Sequence, residues 1–287
     1  MIKLQLILNA LLLVSASHSG KLSEEENKDR LSSCGNVHLE TPSDSNASAN
    51  VKPANVALSK NGQWFYLTAR QYENGIWYHI SGASAISKRH VLTTSRVVMS
   101  SKRKWRANNQ SVDCKGDLKY VEVPAGFLEK NMFRRFQCVM NGTDCHDIAT
   151  PVKAYILNYC PNMTEHVAYH PMIIEFDDTF TNSTPCLSDE VNIGNGVYVH
   201  GYEDNGNGKN NGVGLKHRLL WVIDLQEKLV ITESFHGEYE FGSPLSRVIG
   251  RKWTIVGLGT TYMDFTSNVF FRRSEGLQRR RIRNSSN

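Results

Sequence analysis

The sequence predicts an all-β protein made of antiparallel barrels or a sandwich. Nine short runs rich in Val, Ile, Tyr and Trp recur between Trp64 and Leu258, and Gly, Asn or Asp bounds them. Many short strands separated by turns are typical of closed or two-layered antiparallel sheets. Helix-forming patterns lie near the two ends of the chain instead. The predicted strands are residues 64–68, 76–80, 85–92, 119–123, 172–176, 197–202, 219–225, 228–232 and 253–258.

The two predicted helices flank this strand-rich body. Ser23 and Glu26 have the spacing of a capping box, which predicts a short helix within residues 21–33. Residues 35–60 are rich in Ser, Asn, Pro and Ala and are expected to form an extended linker. A second helix is predicted from Thr266 to the C-terminus, residues 266–287.

Length and composition exclude several classes of protein. At about 150 residues per domain, the 287 residues indicate one large domain or two small ones. Hydrophobic residues make up 40% of the chain and charged residues 21%, so a sizeable core can form, and global disorder or a fibrous coiled coil is excluded. The one long apolar run lies at the extreme N-terminus, which excludes a multispan membrane protein.

The positive charge belongs to the C-terminal tail. The chain has a formal net charge of +5, but six arginines and one acid, Glu275, give residues 272–283 that same net charge. Once Lys3 in the leader is also set aside, the body carries −1, which does not favour specific nucleic-acid binding. The tail predicts either a polyanion-binding site or a solvated end. Its arginines are Arg272, Arg273, Arg279, Arg280, Arg281 and Arg283.

The N-terminus has the pattern of a secretory signal peptide over residues 1–17. Lys3 gives it a basic start, residues 4–14 are mainly apolar, and small residues follow, so that cleavage anywhere between residues 16 and 19 is plausible. An apolar run of 11 residues is too short to span a bilayer. We therefore expect a secreted, extracellular protein without a transmembrane anchor.

Cysteines and glycosylation sequons agree with secretion. The six cysteines include no C-x-x-C pair, which favours disulfides over a zinc ribbon. Six N-x-S/T sequons are candidate glycosylation sites. The cysteines are Cys34, Cys114, Cys138, Cys145, Cys160 and Cys186, and the sequons begin at Asn46, Asn109, Asn141, Asn162, Asn182 and Asn284.

Metal and cofactor sites are not predicted. His166 and His170 lie four residues apart, which suits a metal ion only on a helix, and the local pattern indicates a loop followed by a strand. The tryptophans sit in or beside strand runs and are expected to pack in the core. They are Trp64, Trp77, Trp105, Trp221 and Trp253.

Four segments in order resemble the trypsin-like serine proteases. Residues 84–96 (SAISKRHVLTTSR) resemble the pattern S-L-I-S-x-x-W-V-L-T-A-A-H, residues 184–187 (TPCL) resemble P-I-C-L-P, and residues 197–202 (VYVHGY) resemble the V-x-G-W-G strand. Residues 239–245 (YEFGSPL), followed by WTIVG, resemble G-D-S-G-G-P-L and W-x-L-V-G. More narrowly, LSEEEN…CGN, AYILNYC and PMIIEF are similar to a trypsin-like family expanded in nematodes.

The resemblance implies two antiparallel six-stranded Greek-key barrels. It places an N-terminal extension at 18–60, a first barrel with a cysteine-rich insertion at 61–176, a connector at 177–190 and a second barrel at 191–265. It also implies a disulfide between Cys34 and Cys186. The other four cysteines then pair among themselves within residues 114–160, and three connectivities remain open.

The resemblance also places three residues where the family has its catalytic triad. They are Arg96 for the histidine, His170 for the aspartate and Phe241 for the serine. An arginine stays protonated and cannot accept a proton, and a phenylalanine has no hydroxyl group. Tyr239 replaces the glycine of the oxyanion hole, and Glu240 occupies the position of the aspartate that receives the new N-terminus after activation.

The sequence is compatible with three functions. The first is a secreted pseudoprotease that binds an unknown extracellular protein or glycan without chemistry. The second is a divergent peptidase that uses another nucleophile, for which Ser243 and Ser246 are the nearest candidates. The third is a polyanion-binding protein that uses the arginine tail. The sequence favours the first.

Overall fold

The computed structural model describes most of the body of the chain. The described residues are 23–36, 52–53, 66–73, 76–100, 102–113, 120–130, 132–138, 145–146, 151–157, 159, 169–176, 184–202, 215–226, 229–233, 241–263 and 267–271. The predicted signal peptide and the tail arginines lie outside them. So do Cys114, Cys160, His166, Tyr239 and Glu240 and the sequon residues Asn46, Asn141, Asn162, Asn182 and Asn284.

Strands dominate the described residues, which confirms the all-β prediction. The helices are α1 (Glu24–Ser33) and α2 (Ala125–Lys130), with a short 3₁₀ helix at Ser95–Val97. The strands are β1 (Lys52–Pro53), β2 (Tyr66–Glu73), β3 (Ile76–Ser81), β4 (Ser84–Ala85), β5 (His90–Thr94), β6 (Tyr120–Glu122), β7 (Met132–Cys138), β8 (Cys145–His146), β9 (Pro151–Leu157), β10 (Pro171–Phe176), β11 (Cys186–Leu187), β12 (Gly196–Tyr202), β13 (Leu215–Gln226), β14 (Leu229–Glu233), β15 (Pro244–Ile249), β16 (Lys252–Met263) and β17 (Ser267–Phe271).

The N-terminal half contains two antiparallel sheets. One has the strand order β4-β5-β10-β9-β6, and the other has the order β3-β2-β7-β8. Along β10 the side chains of Met172, Ile174 and Phe176 alternate into a core that also contains Val91 and Ile156. Such alternation buries one face of each strand and fixes its register. Strand β5 pairs with β10 from Thr94 opposite Pro171 to His90 opposite Glu175.

The C-terminal half closes into a six-stranded barrel, as the family resemblance implies. The order β13-β12-β15-β16-β17-β14 returns to its start because β14 also pairs with β13. Its core contains Val197, Val199, Leu220, Leu245 and Val256, all nearly free of solvent contact. Closure leaves none of these six strands as a free sheet edge.

The N-terminal segment is fastened to this body at several points. Helix α1 begins with the predicted capping box, in which the Ser23 hydroxyl accepts from the Glu26 amide and the Glu26 carboxylate accepts from the Ser23 amide. Cys34 forms the expected disulfide with Cys186. Gly35 follows with φ +75°, and a Cβ there would lie 2.7 Å from the Cβ of Lys252. Only glycine fits this approach without displacing the second barrel.

The structure corrects one predicted helix and one predicted strand, and it adds strands that the sequence analysis did not identify. The helix predicted from Thr266 is wrong for Ser267–Phe271, which form β17 because their backbone groups pair with β14 on one side and with β16 on the other. The predicted strand 85–92 is broken by a turn in which the Ile86 amide donates to the His90 carbonyl. Strands β1, β7, β8, β9, β11 and β15 lie outside the nine predicted strand runs.

Trp221 also departs from its expected place in the core. Its side chain is 45% exposed on the outer face of β13. It lies beside Gly196, where an added Cβ would be 3.6 Å from the indole ring. Strand residues alternate between faces, so a tryptophan within a strand does not by itself indicate burial.

Candidate functional site

Three separate elements bring the triad-position residues to the same region. Arg96 lies in the 3₁₀ helix that follows β5, His170 directly precedes β10, and Phe241 lies in the turn before β15. The Ser95 amide donates to the His170 carbonyl at 2.7 Å, and the His170 amide donates to the Ser95 hydroxyl at 3.0 Å. These two bonds tie the residue beside Arg96 to the start of β10.

The second barrel reaches this region through the turn at Phe241. The Gly82 amide donates to the Phe241 carbonyl at 2.8 Å. Gly242 follows with φ +73°, and a Cβ there would lie 2.1 Å from the Gly82 carbonyl oxygen. Glycine is therefore required at this turn, and the close approach fixes Phe241 against the first barrel.

A cation–aromatic cluster occupies the triad positions. The guanidinium carbon of Arg96 lies 4.1 Å from the centroid of the Phe241 ring and 5.9 Å from that of Tyr169. The rings of Tyr169 and Phe241 meet edge to face, with centroids 5.3 Å apart. A guanidinium at such distances is attracted by the electron-rich faces of the rings, and edge-to-face packing is a favoured aromatic geometry. The cluster therefore packs Arg96, at the position of the family's histidine, against Phe241, at the position of its serine.

His170 is buried beside this cluster. Its side chain is 2% exposed, and its ring packs against Tyr159 with centroids 5.1 Å apart. Tyr159 is itself buried, which raises the pKa of its hydroxyl against the opposing effect of Arg103. An imidazole enclosed in this way has little access to a substrate.

The two serines considered as replacement nucleophiles are fully buried. Ser243 and Ser246 each have 0% exposed surface. The Ser246 hydroxyl donates to the Tyr198 carbonyl at 3.3 Å, and the Ser243 carbonyl accepts from the Gly259 amide. A nucleophile must reach its substrate within hydrogen-bond distance, and neither hydroxyl is exposed for that purpose.

A cluster of hydroxyl groups behind the Phe241 turn was missed by sequence reasoning. The Ser81 hydroxyl lies 3.0 Å from that of Thr93 and 3.1 Å from that of Thr94, and it donates to the Phe241 carbonyl at 3.2 Å. All three residues are buried. The available signal was in the motif itself, where Thr94 and Ser95 stand at the two alanines of the pattern V-L-T-A-A-H.

The opposite end of the β5–β10 pair carries an ion-pair network. Arg89 contacts the buried carboxylate of Glu175, and its Nε donates to Glu26 of helix α1 at 3.0 Å. Burial acts to raise the pKa of Glu26, but hydrogen bonds from the Ser23 amide and the Arg89 guanidinium outweigh it, so this pKa lies below its ordinary value. The network joins the N-terminal helix to the first barrel.

His90 lies at the same end and is held neutral. Burial, followed by the nearby charge of Arg89, lowers the pKa of His90 to about 4, against the opposing effect of Glu26. Its Nδ1 is 2.7 Å from the Ser87 hydroxyl. Because burial keeps the ring neutral at pH 7, His90 adds no charge to the neighbouring ion-pair network.

A small, solvent-open cleft lies between helix α1, the turn at Ser87 and Lys88 of the first barrel, and Thr184. Charged and hydroxyl side chains line it, and they are Glu26, Asp29, Arg30, Ser33, Ser87, Lys88 and Thr184.

Of the predicted glycosylation sites, Asn109 is described and lies exposed in a turn with φ +58°. In the described ranges, no group of three or more His, Cys, Asp or Glu residues is placed to hold a metal ion.

The predicted cysteine and tail sites are only partly covered by the described residues. Cys34 and Cys186 are bonded to each other. Cys138 and Cys145 are opposite each other in the β7–β8 backbone pairing, and the remaining two cysteines lie outside the described residues. None of the described helices is long and apolar enough to cross a bilayer.

Comparisons with known proteins give one family profile and several similar solved structures. The profile of the nematode trypsin-6-like family matches residues 4–275. Among solved structures, a Glu endopeptidase in complex with MPD is 14% identical, with a TM-score of 0.48 over 72% of this chain and 85% of that one. A scabies mite inactivated protease paralogue, S-I1, is 18% identical, with a TM-score of 0.47 over 72% of this chain and 88% of that one. Among functionally curated proteins, none is a detectable match to this chain.

Proposed function

The chain belongs to the nematode trypsin-6-like family, and from that premise we propose that it is a secreted pseudoprotease, a trypsin-like double barrel that acts by binding and does not hydrolyse peptide bonds. The observation that carries this proposal is the position of the Arg96 guanidinium, 4.1 Å from the centre of the Phe241 ring. In an active serine protease the corresponding contact joins a general base to a nucleophilic hydroxyl.

Arg96 and Phe241 supply neither the general base nor the nucleophile that acyl transfer needs at their positions. Arg96 remains protonated at any working pH, so it cannot remove a proton, and Phe241 offers no oxygen to attack a carbonyl carbon. The buried His170 is held by its backbone to Ser95 and packs against Tyr159. A single restored hydroxyl would still lack a base at the position of Arg96.

A peptidase with a relocated nucleophile is disfavoured by burial. Ser243 and Ser246 are both fully enclosed. Ser243 stands at a glycine position of the family's motif and lies against Gly82, where a Cβ added to Gly82 would be 3.2 Å from its hydroxyl. Exposing the Ser243 hydroxyl requires displacement of the turn at Phe241 and Gly242, and exposing that of Ser246 requires separation of β15 from β12.

Secretion is supported by the leader pattern and by the disulfide between Cys34 and Cys186. Structural disulfides persist in oxidising compartments and are rare in the cytosol. The exposed Asn109 sequon is consistent with glycosylation along the same route. We expect expression in secretory cells to deliver a protein whose first residue lies between 17 and 20.

Hydrolysis of a panel of peptide esters tests the lack of catalysis. We expect no turnover above buffer by the secreted protein, and none by Phe241→Ser. The matched controls are an active trypsin-like protease and the Ser243→Ala variant. Turnover by the unmodified protein that disappears in Ser243→Ala or in Ser246→Ala would overturn the proposal in favour of a divergent peptidase.

A further inference from the structure

One side of the second barrel carries a group of exposed apolar side chains. Among the described residues, seven large hydrophobic side chains are exposed, and four of them lie in this barrel or in the turn that leads into it. Single exposed hydrophobic residues are ordinary on protein surfaces, whereas several that adjoin one another mark an interaction site. The four are Ile193, Trp221, Ile223 and Val248, and we call them the apolar face.

Strand β13 supplies two members of the apolar face. Trp221 and Ile223 are exposed, while Val222 between them is buried in the barrel core. This alternation places the two exposed side chains on the outer side of the barrel. Trp221 is also the direct partner of Gly196 in the β12–β13 pairing, so its indole ring lies beside a position that has no side chain.

The other two members come from β15 and from the turn before β12. Strand β15 pairs with β12 in a register that, continued by two residues, puts Val248 beside Gly196. Ile193 lies in the turn before β12, and the Gly194 amide in this turn donates to the Val222 carbonyl of β13 at 2.8 Å. The four side chains therefore form one patch around Gly196.

The size of the apolar face is that of the centre of a protein interface. With exposed fractions between 39% and 62%, its side chains leave on the order of 400 Å² of apolar surface open to solvent, which is the size of patch that marks an interaction site. A standard interface buries roughly 800 Å² per partner, a little over half of it non-polar. The face can therefore supply the apolar part of one such interface, with Trp221 as its aromatic anchor.

An acid and a base lie on opposite sides of the apolar face. Asp224 on β13 and Arg251 in the turn between β15 and β16 are both exposed. Because β13 and β15 both pair antiparallel with β12, they run in the same direction. Asp224 comes three residues after Trp221. Arg251 comes three residues after Val248, so the two charges stand at about the same level along the strands.

Two further charges repeat this arrangement. The Glu233 carboxylate accepts from the Trp221 amide at 3.3 Å, and Arg247 of β15 contacts Asn195. The carboxylates of Asp224 and Glu233 therefore lie on the β13 side of the apolar face, and two guanidinium groups lie on its β15 side. We call these four charged residues the rim, and they are Asp224, Glu233, Arg247 and Arg251.

We propose that the apolar face binds a second copy of this chain in a two-fold symmetric homodimer. A two-fold axis parallel to the strands and above Gly196 exchanges the β13 side of the face with its β15 side, so that every contact occurs twice. Trp221 of one protomer then covers Val248 of its partner. Asp224 of one protomer faces Arg251 of its partner. The inference does not rest on the proposed function, because the oligomeric state is measured without a substrate.

The charges of the rim favour a second copy over other occupants of the face. The arginine tail carries a net charge of +5 over residues 272–283, so the two arginines of the rim would repel it. A surface that binds anionic lipid needs cations beside its apolar residues, whereas the rim contains as many carboxylates as guanidinium groups. A copy of the same face requires acids and bases in equal numbers at positions that the two-fold axis exchanges, and the rim provides them.

Sedimentation velocity of the full secreted chain measures the dimer between about 0.1 and 100 µM, since interfaces of this size range from micromolar to far tighter affinities. We expect a reversible dimer with twice the mass that mass spectrometry gives for the denatured protomer. Trp221→Ser should weaken dimerisation at least tenfold, because an aromatic anchor at the centre of an interface carries much of its binding energy. The matched control is Tyr120→Ser, which removes a similarly exposed ring, 46% against 45%, from the first barrel and should dimerise like the unmodified protein.

An exchange of charges tests the symmetry of the contact. Asp224→Arg alone and Arg251→Asp alone each create two pairs of like charges in the dimer, and each should weaken it at least tenfold at low salt. Aspartate tolerates the left-handed backbone at position 251, where φ is +65°. The double variant, Asp224→Arg with Arg251→Asp, restores opposite charges and should dimerise within about threefold of the unmodified protein.

Three outcomes would overturn the proposal. The first is a monomer throughout the concentration range, and the second is a dimer that Trp221→Ser leaves unchanged. The third is a double charge variant that dimerises no better than the single variants. If the unmodified chain is a monomer and Arg279→Gln with Arg280→Gln and Arg281→Gln produces a dimer, the tail occupies the face instead. Equal melting temperatures of the variants and the unmodified protein verify that a loss of dimer does not come from unfolding.

Discussion

The two ends of the β5–β10 strand pair hold an arginine in opposite ways. At one end, Arg89 contacts the carboxylates of Glu26 and Glu175. At the other end, Arg96 lies over the rings of Phe241 and Tyr169. Residues of the same type, seven positions apart on one chain segment, are therefore stabilised by ion pairing in one place and by aromatic faces in the other.

In the proposed function, the difference separates a structural ion-pair site from one that occupies the positions of a catalytic triad. Arg89 fastens the N-terminal helix to the first barrel, and the disulfide of Cys34 with Cys186 fastens the residues that follow the helix. Arg96 fastens the first barrel to the turn of the second one. The two arginines therefore fix the first barrel to two different parts of the chain, the N-terminal helix and the Phe241 turn.

Removing the ion pair at the Arg89 end should have the largest effect. Arg89→Met leaves the Glu175 carboxylate, which is 4% exposed, without its positive partner. Breaking a buried pair on one side costs about 3–5 kcal/mol in the free energy of unfolding. Urea denaturation measures the change. The matched double variant, Arg89→Met with Glu175→Leu, should recover much of the loss, and a double variant as unstable as the single one would contradict the assignment.

Acid should weaken the same end next. His90 is neutral in the folded protein because its pKa is lowered to about 4, whereas the unfolded chain takes up a proton near pH 6.5. Above about pH 6.5, His90 is neutral in both the folded and the unfolded protein. As the pH falls from 6.5 towards 4, only the unfolded chain takes up the proton, so the free energy of unfolding decreases by roughly 3 kcal/mol in total. The lowered pKa of Glu26 acts in the same direction at still lower pH.

The measurement is the free energy of unfolding in urea between pH 7 and pH 4. His90→Gln cannot take up a proton, so its stability should change much less across this range, even though the variant is less stable at pH 7. An unchanged pH slope in His90→Gln would show that another group causes the acid sensitivity.

Replacing Arg96 should have the smallest effect on stability. Arg96→Met keeps the length of the side chain but removes the charge over the two rings, which is worth about 0.5–2 kcal/mol. The stability of Arg96→Lys should lie between that of the unmodified protein and that of Arg96→Met, because an ammonium group keeps the charge but lacks the flat surface that stacks on a ring. Thermal melting ranks the three proteins. A more stable Arg96→Met would mean that the aromatic rings do not stabilise the guanidinium.

The sequence predicts the parts of the fold that depend on local pattern. The capping box at Ser23 and Glu26 was visible because both residues act within one helical turn. The pairing of Cys34 with Cys186 followed from family resemblance. Strand β17 was missed because residues 266–287 were assigned as one helix with the tail arginines, whereas residues 267–271 pair with the backbones of β14 and β16.

The candidate site was predicted by position but not by contact. The motif alignment identified Arg96, His170 and Phe241, and it could not indicate that Tyr169 would complete an aromatic surface for the guanidinium. The hydroxyl cluster of Ser81 with Thr93 and Thr94 lies within the first barrel, but Ser81 also donates to the carbonyl of Phe241, 160 residues further along the chain. Such contacts depend on the packing of the two barrels, which no local pattern records.

The central claim is that the rebuilt triad region contains no activated nucleophile. Labelling of the intact secreted protein with a fluorophosphonate, followed by mass spectrometry, tests it most directly, because the reagent adds to the oxygen of an activated serine. We expect an unchanged mass under conditions that label an active trypsin-like protease completely. A stoichiometric adduct that maps to one serine, and that disappears when this serine is replaced by alanine, would contradict the account.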